Sequence, residues 1–167
     1  MKPTKLSAIV SYAVASSIIG VFLAEFLVRS GAPIPVSPTS LVAVLPFISV
    51  SLVVFAWPIF KYRSAVRARL EQVKKDPAAA TNSPAPKRVD PFYAVRVALL
   101  AKSTAIAGAF FSGWHAGVLI ALLSSPAPTA SLLWRAILAV VGSIAMVVCG
   151  LVVERACKVP PDAKLES

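Results

Sequence analysis

Four apolar runs divide the chain, at residues 6–28, 41–60, 92–123 and 131–153. Each is long enough, as a helix of about twenty residues, to cross the hydrocarbon core of a bilayer. The pattern predicts an all-α integral membrane protein, a four-helix bundle. Polar or proline-rich stretches separate the runs: a basic head at 1–5, loops at 29–40 and 124–130, a basic segment at 61–91, and a tail at 154–167. Lys2 and Lys5 ahead of the first run resemble the charged start of a signal peptide. The run exceeds the usual apolar length of such a peptide, about 7–15 residues, and no clear small-x-small site follows it, so a retained span is expected.

Within the runs, small residues recur at helical spacing. Ser16, Gly20 and Ala24 form a stripe on the first, Gly113 and Gly117 a GxxxG on the third, and Ala145 and Cys149 a pair on the fourth. Gly108 and Ser112 repeat the four-residue spacing. Such faces let helices approach closely in lipid. Pro46 and Pro58 lie inside the second span, where neighbouring helices must satisfy the carbonyls they free. Trp57 and Tyr62 bracket its exit, as in an aromatic belt. Gly31–Ser40 breaks helix, and Asp90-Pro91 reads as a helix start.

The segment 61–75 keeps a helical period, with Val66, Leu70 and Val73 on one face and i,i+4 pairs Arg67–Glu71 and Glu71–Lys75. It reads as an amphipathic extension of the second span. Lys61, Arg63, Arg67, Arg69, Lys74 and Lys75 give it a basic face suited to anionic lipid headgroups. The following residues, 76–88, are rich in proline, alanine and serine and carry the composition of a disordered linker.

Composition supports the membrane reading. Hydrophobic residues make up 57% of the 167 and charged residues 14%, against roughly half and a quarter in soluble domains. The net charge of +10 suggests nucleic acid only until its placement is considered. Lys2, Lys5, the cations between Lys61 and Arg96, Arg155, Lys158 and Lys164 share one side; Arg29 and Arg135 stand on the other. The positive-inside rule then puts both termini and the central loop in the cytoplasm of a bacterial plasma-membrane protein. The basic segment also lacks the stacking aromatics of single-strand binders, so no nucleic-acid partner is expected.

The polar groups inside the runs are the functional leads, because a charge in lipid is costly. Glu25, Arg29, His115 and Arg135 fall near the outer face, and Lys102 and Glu154 near the inner one. Glu25 and Arg29 are spaced for an interfacial pair. Lys102 lies six residues past Arg96, about 9 Å deeper, within reach of the headgroups by snorkelling. Pairing with Glu154 on the adjacent span is the alternative. Trp114 suits an anchor or packing role. With one histidine, a histidine cluster for metal is excluded. Cys149 and Cys157 lack zinc spacing and are not placed for a disulfide. GxSxG, HExxH, phosphate-loop and CxxC motifs are absent, which disfavours an enzyme and implies no cofactor.

Asp90-Pro91, Leu100-Ala101-Lys102, Gly113-Trp114 with Gly117, Glu154-Arg155, Cys157 and Pro160-Pro161 occur in this order after a Pro33–Pro38 loop. The pattern resembles domain-of-unknown-function family 3180, small four-span membrane proteins of actinobacteria. The resemblance implies topology and setting rather than chemistry. The family pattern has tyrosine where this chain has His115. The expectation is a non-enzymatic accessory or scaffold subunit that joins copies of itself or a larger membrane complex through its small-residue faces. The alternative is a small oligomeric transporter or channel lined by Glu25, His115, Arg135, Lys102 and Glu154.

Overall fold

A computed structural model describes residues 4–75, 89–125 and 128–157. The expected linker at 76–88 and the polar tail beyond Cys157 lie outside the described residues. Four helices carry the chain: α1 Leu6–Arg29, α2 Thr39–Lys75, α3 Pro91–Leu123 and α4 Ala130–Ala156. All four are long and apolar enough to cross a membrane, as a multi-pass membrane protein requires. The outer surface agrees: Phe22, Phe47, Trp57, Phe92 and Trp134 are 65% to 78% exposed, which lipid accommodates and water would not.

The helix ends follow local chemistry. At the start of α3 the Asp90 carboxylate accepts the Phe92 N–H at 2.9 Å, with Pro91 at the first helical position. At the end of α1, Gly31 adopts φ +77°, Ala32 N–H bonds to the Leu27 carbonyl at 2.9 Å, and Gly31 N–H to that of Val28 at 3.0 Å. This pair is a Schellman stop, which needs the left-handed residue that glycine tolerates.

Helix α3 is central and packs against each of the other three. Helix α1 lies beside α3, whereas α2 lies mainly beside α4, and α1 and α2 do not pack on each other. Pairwise contacts rise together along α1 and α3, so those two run parallel; α3 and α4 run antiparallel. The terminus end of the bundle holds Thr4, Asp90 and Cys157. The loop end holds 30–38, 124–125 and 128–129.

Small residues set these packings. A Cβ added at Gly113 would overlap the Ala13 carbonyl and Ser16 Oγ, and one at Gly117 the Ser17 carbonyl. One at Gly20 would come within 2.8 Å of the Trp114 carbonyl oxygen. Across the α3–α4 seam, Gly150 lies against Ala101 and Ala105, and Gly108 against Ser143 and Met146. Ser16, Gly20 and Ala24 are all buried. The faces expected to receive a second protein are thus largely consumed inside this one chain. Close approach on both sides of α3 is what such residues permit in lipid.

A neighbouring helix supplies a donor beside one proline of α2. Pro58 lacks the N–H of its turn and crowds the preceding carbonyls. The Tyr93 hydroxyl of α3 donates to the Phe55 carbonyl at 2.6 Å, three residues before that proline. Replacing Tyr93 by phenylalanine is expected to cost about 0.5–2 kcal/mol, the range for interhelical hydrogen bonds in membranes. Equilibrium unfolding of the micelle-embedded protein would measure it.

Candidate functional site

The polar groups of the loop end converge because of topology. Helices α1 and α2 flank different members of the α3–α4 pair, so their connection must cross the end of that pair. Residues 31–38 make the crossing, with Val36 N–H turned back onto the Ile34 carbonyl at 2.8 Å around Pro35. This brings Ser37 against α3 and α4. Ser37 Oγ lies 3.2 Å from His115 Nδ1, and Arg135 Nη2 donates to the Ser37 carbonyl at 2.8 Å. His115 is 3% exposed, and its ring stacks on Phe111 with centroids 6.1 Å apart. His115 Nε2 and Arg135 Nε are buried without a partner among the described residues. Irregular backbone next to spans is tolerated when protein satisfies it, and Arg135 does so here.

On the opposite side of α3 the Gly113–Gly117 seam holds α1. Ser16 Oγ donates to the Phe110 carbonyl at 2.8 Å across it. The segment Gly113–Gly117 therefore works in two directions. Its glycines admit α1, and His115, between them in sequence, is turned to Ser37. Trp114 is half-buried, and its carbonyl lies close to Gly20.

The terminus end departs from the expected Lys102–Glu154 pair. Glu154 is buried, and its Oε1 accepts the Thr4 N–H at 2.8 Å. Among the described residues the ion pair formed is Glu25–Arg29, at 3.8 Å, and Lys102 and Glu154 are not joined by one. Sequence adjacency of α3 and α4 suggested the pair. The entry to α1 instead reaches Glu154 and offers it a backbone donor, while Lys102 stays half-buried. Likewise, the spaced partners Arg67–Glu71 and Glu71–Lys75 form no ion pair among the described residues. Glu25 and Arg29 are 52% and 83% exposed and lie far apart for a salt bridge, so little stability rests on them.

Arg63, half-buried on α2, reaches across to α4 and donates from Nη1 to the Arg155 carbonyl at 2.7 Å, which caps the last turn of α4. Burial pushes the nearby Cys157 thiol up; the Arg63 guanidinium opposes this and Glu154 reinforces it. Both cysteines are free. Beside these groups α2 and α4 leave two hollows. A cleft of about 380 Å³ has Arg63, Arg67 and Arg155 in its lining. Nearer the loop end, an apolar groove of about 690 Å³ lies between α2 and the Ala145–Cys149 face of α4.

The eight singled-out groups are thus not one constellation. His115 and Arg135 meet through Ser37; Gly113, Gly117 and the Trp114 backbone form the α1 seam; Glu154 and Lys102 belong to the terminus end; Glu25 is exposed on α1. Sequence reasoning passed over Ser37, Thr4 and Tyr93. Ser37 lies in a loop without periodicity, Thr4 contributes only its backbone, and Tyr93 acts at a turn whose proline is on another helix. Among the described residues, His, Cys, Asp and Glu side chains do not gather three to a cluster.

No curated protein and no solved structure matches the chain. A family model described as "Protein of unknown function (DUF3180)" matches residues 9–161. That span takes in all of α2, α3 and α4 and most of α1, and the chain belongs to the DUF3180 family.

Proposed function

We propose that this protein is a non-enzymatic accessory subunit of a bacterial plasma-membrane complex, with both termini and the 61–91 segment in the cytoplasm. The observation that carries the reading is where the polar groups within and beside the spans spend their hydrogen bonds. Ser16, Tyr93, Arg63 and Arg135 each donate to a backbone carbonyl on another element, and Glu154 accepts a backbone N–H. Such contacts brace a body; they do not present a reactive or conducting surface. Compared with a transporter, the five groups that would line its path face different surroundings, from exposed Glu25 to buried His115.

The excess of cations at the terminus end supports the orientation. Attachment would not use the Ser16–Gly20–Ala24 or Gly113–Gly117 faces, which are filled. It falls to lipid-facing sides of α1 and α2, which do not pack on each other, and to the exposed 61–75 extension. The test is gentle extraction from the native membrane with measurement of assembly mass and stoichiometry. The expected result is a defined assembly heavier than the 17.5 kDa chain, with a stoichiometric partner. A monomer without one would remove the accessory role.

A further inference from the structure

The cleft and the groove between α2 and α4 lie on one seam. On α2, Pro46, Val50, Val53, Trp57, Phe60 and Arg67 follow one another at helical steps that keep them on a common stripe, with Ser64 completing it. On α4, Ala145, Cys149, Val152 and Ala156 form the facing stripe. Chemistry changes abruptly along this seam. From Pro46 to Pro58 it is apolar, and its one serine, Ser49, spends its hydroxyl on the Leu45 carbonyl at 3.1 Å. Beyond Phe60, Arg63, Arg67 and Arg155 enter the lining, with no acidic side chain among its described residues. Arg63 is held there by its bond to the Arg155 carbonyl, and a guanidinium has five N–H donors, so others remain for a ligand.

An apolar groove in line with a cluster of guanidinium groups is complementary to an anionic amphiphile. Arginine matches phosphate geometry through paired N–H groups. The apolar section runs twelve residue steps along α2, from Pro46 to Pro58, about 18 Å at the helical rise. One leaflet of a ~30 Å hydrocarbon core is about 15 Å deep. Trp57, 66% exposed, stands near the boundary between the two sections, where an aromatic ring suits the headgroup level.

We infer that the α2–α4 seam is a binding site for one anionic phospholipid, its phosphate at Arg63, Arg67 and Arg155 and an acyl chain along the groove from Trp57 toward Pro46. The site is narrower than general attraction of the basic extension for the membrane surface. Lys61, Lys74 and Lys75 are outside it, and Arg155, on another helix, belongs to it. The inference holds for either orientation of the chain and does not depend on an accessory role.

The test uses the full chain in a neutral detergent, with native mass spectrometry counting retained phosphatidylglycerol against phosphatidylcholine of the same chain length. One phosphatidylglycerol per chain is expected, held at least tenfold more tightly than phosphatidylcholine. The double variant Arg67→Gln/Arg155→Gln is expected to lose that preference; Arg63 is spared because it caps α4. The double variant Lys74→Gln/Lys75→Gln removes equal charge outside the seam and is expected to leave retention unchanged. Val50→Phe, at a 61% exposed groove position, is expected to lower retention of both lipids without changing charge. Helicity and melting temperature establish that each variant is folded, and Val54→Phe serves if Val50→Phe is not. Equal loss from the arginine and lysine variants would overturn the site in favour of diffuse attraction. Full displacement by soluble glycerol phosphate would reduce it to a free-phosphate site, and absence of stoichiometric retention would remove it.

Discussion

Gly113→Ala is expected to destabilise the protein more than any other glycine-to-alanine change in its helices. The added methyl would overlap the Ala13 carbonyl and Ser16 Oγ, so backbone as well as side chain stands in the way. The Ser16 bond to the Phe110 carbonyl lies in the same contact and would be strained with it. Overpacking of a tight core costs about 1–3 kcal/mol, and the upper end or beyond is expected where the obstacle is main chain. Gly117→Ala, whose methyl would overlap the Ser17 carbonyl, comes next. Gly142→Ala is the control: its methyl would meet the Leu45 Cβ at 3.1 Å, a contact that a shift of a few tenths of an ångström relieves, with no backbone carbonyl in the way. Unfolding free energies of the three variants in one micelle or nanodisc system should fall in that order. Equal effects at Gly113 and Gly142 would mean that α1 is not seated on α3 as described.

Arg135→Met is expected to release the 31–38 crossing from the bundle. The guanidinium is the donor that the Ser37 carbonyl receives from α4, and Ser37 in turn carries the contact to His115. Leaving a partly buried carbonyl without its donor costs about 1–3 kcal/mol. Because 1.4 kcal/mol is about a factor of ten in an equilibrium constant, amide exchange across 31–38 should rise by roughly tenfold or more. Exchange at Gly108–Gly113 should stay near its original rate, because that part of α3 is held by α1 and α4. His115→Leu should loosen the same loop less, since it removes one side-chain contact and also an orphaned buried Nε2. An unchanged loop in Arg135→Met would show that the crossing is held by its prolines alone.

The contrast between these two regions shows what a one-dimensional reading of this chain reaches. Apolar run length fixes span number, because the bilayer sets it. Four-residue spacing picked out Ser16, Gly20, Ala24, Gly113 and Gly117, because a helix places such residues on one face whatever stands opposite. What stands opposite is a nonlocal fact. Nothing in either stripe says that α1 meets α3 rather than a second protein. The Lys102–Glu154 pair failed for the same reason: adjacency in sequence does not say which partner a side chain takes, and a backbone N–H at Thr4 carries no side-chain signature. The arginine cleft needed α2 and α4, which are not consecutive, to lie side by side. Arg155 looked like a simple charge at a helix end until Arg63 and Arg67 were placed beside it.

The family match and the four helices establish a membrane protein of the DUF3180 family. Its proposed role rests on the central claim that the polar groups within and beside its spans brace a closed body. Single-cysteine accessibility at position 115 tests that claim most directly. His115→Cys is placed in a background without Cys149 and Cys157, reconstituted in liposomes, and exposed to a small membrane-impermeant thiol reagent from each side. The account predicts negligible labelling from both sides in the folded protein, with full labelling after denaturation, because the site is 3% exposed and covered by Ser37. Rapid labelling of folded protein, above all from both sides, would contradict it and show a water-filled path through the bundle.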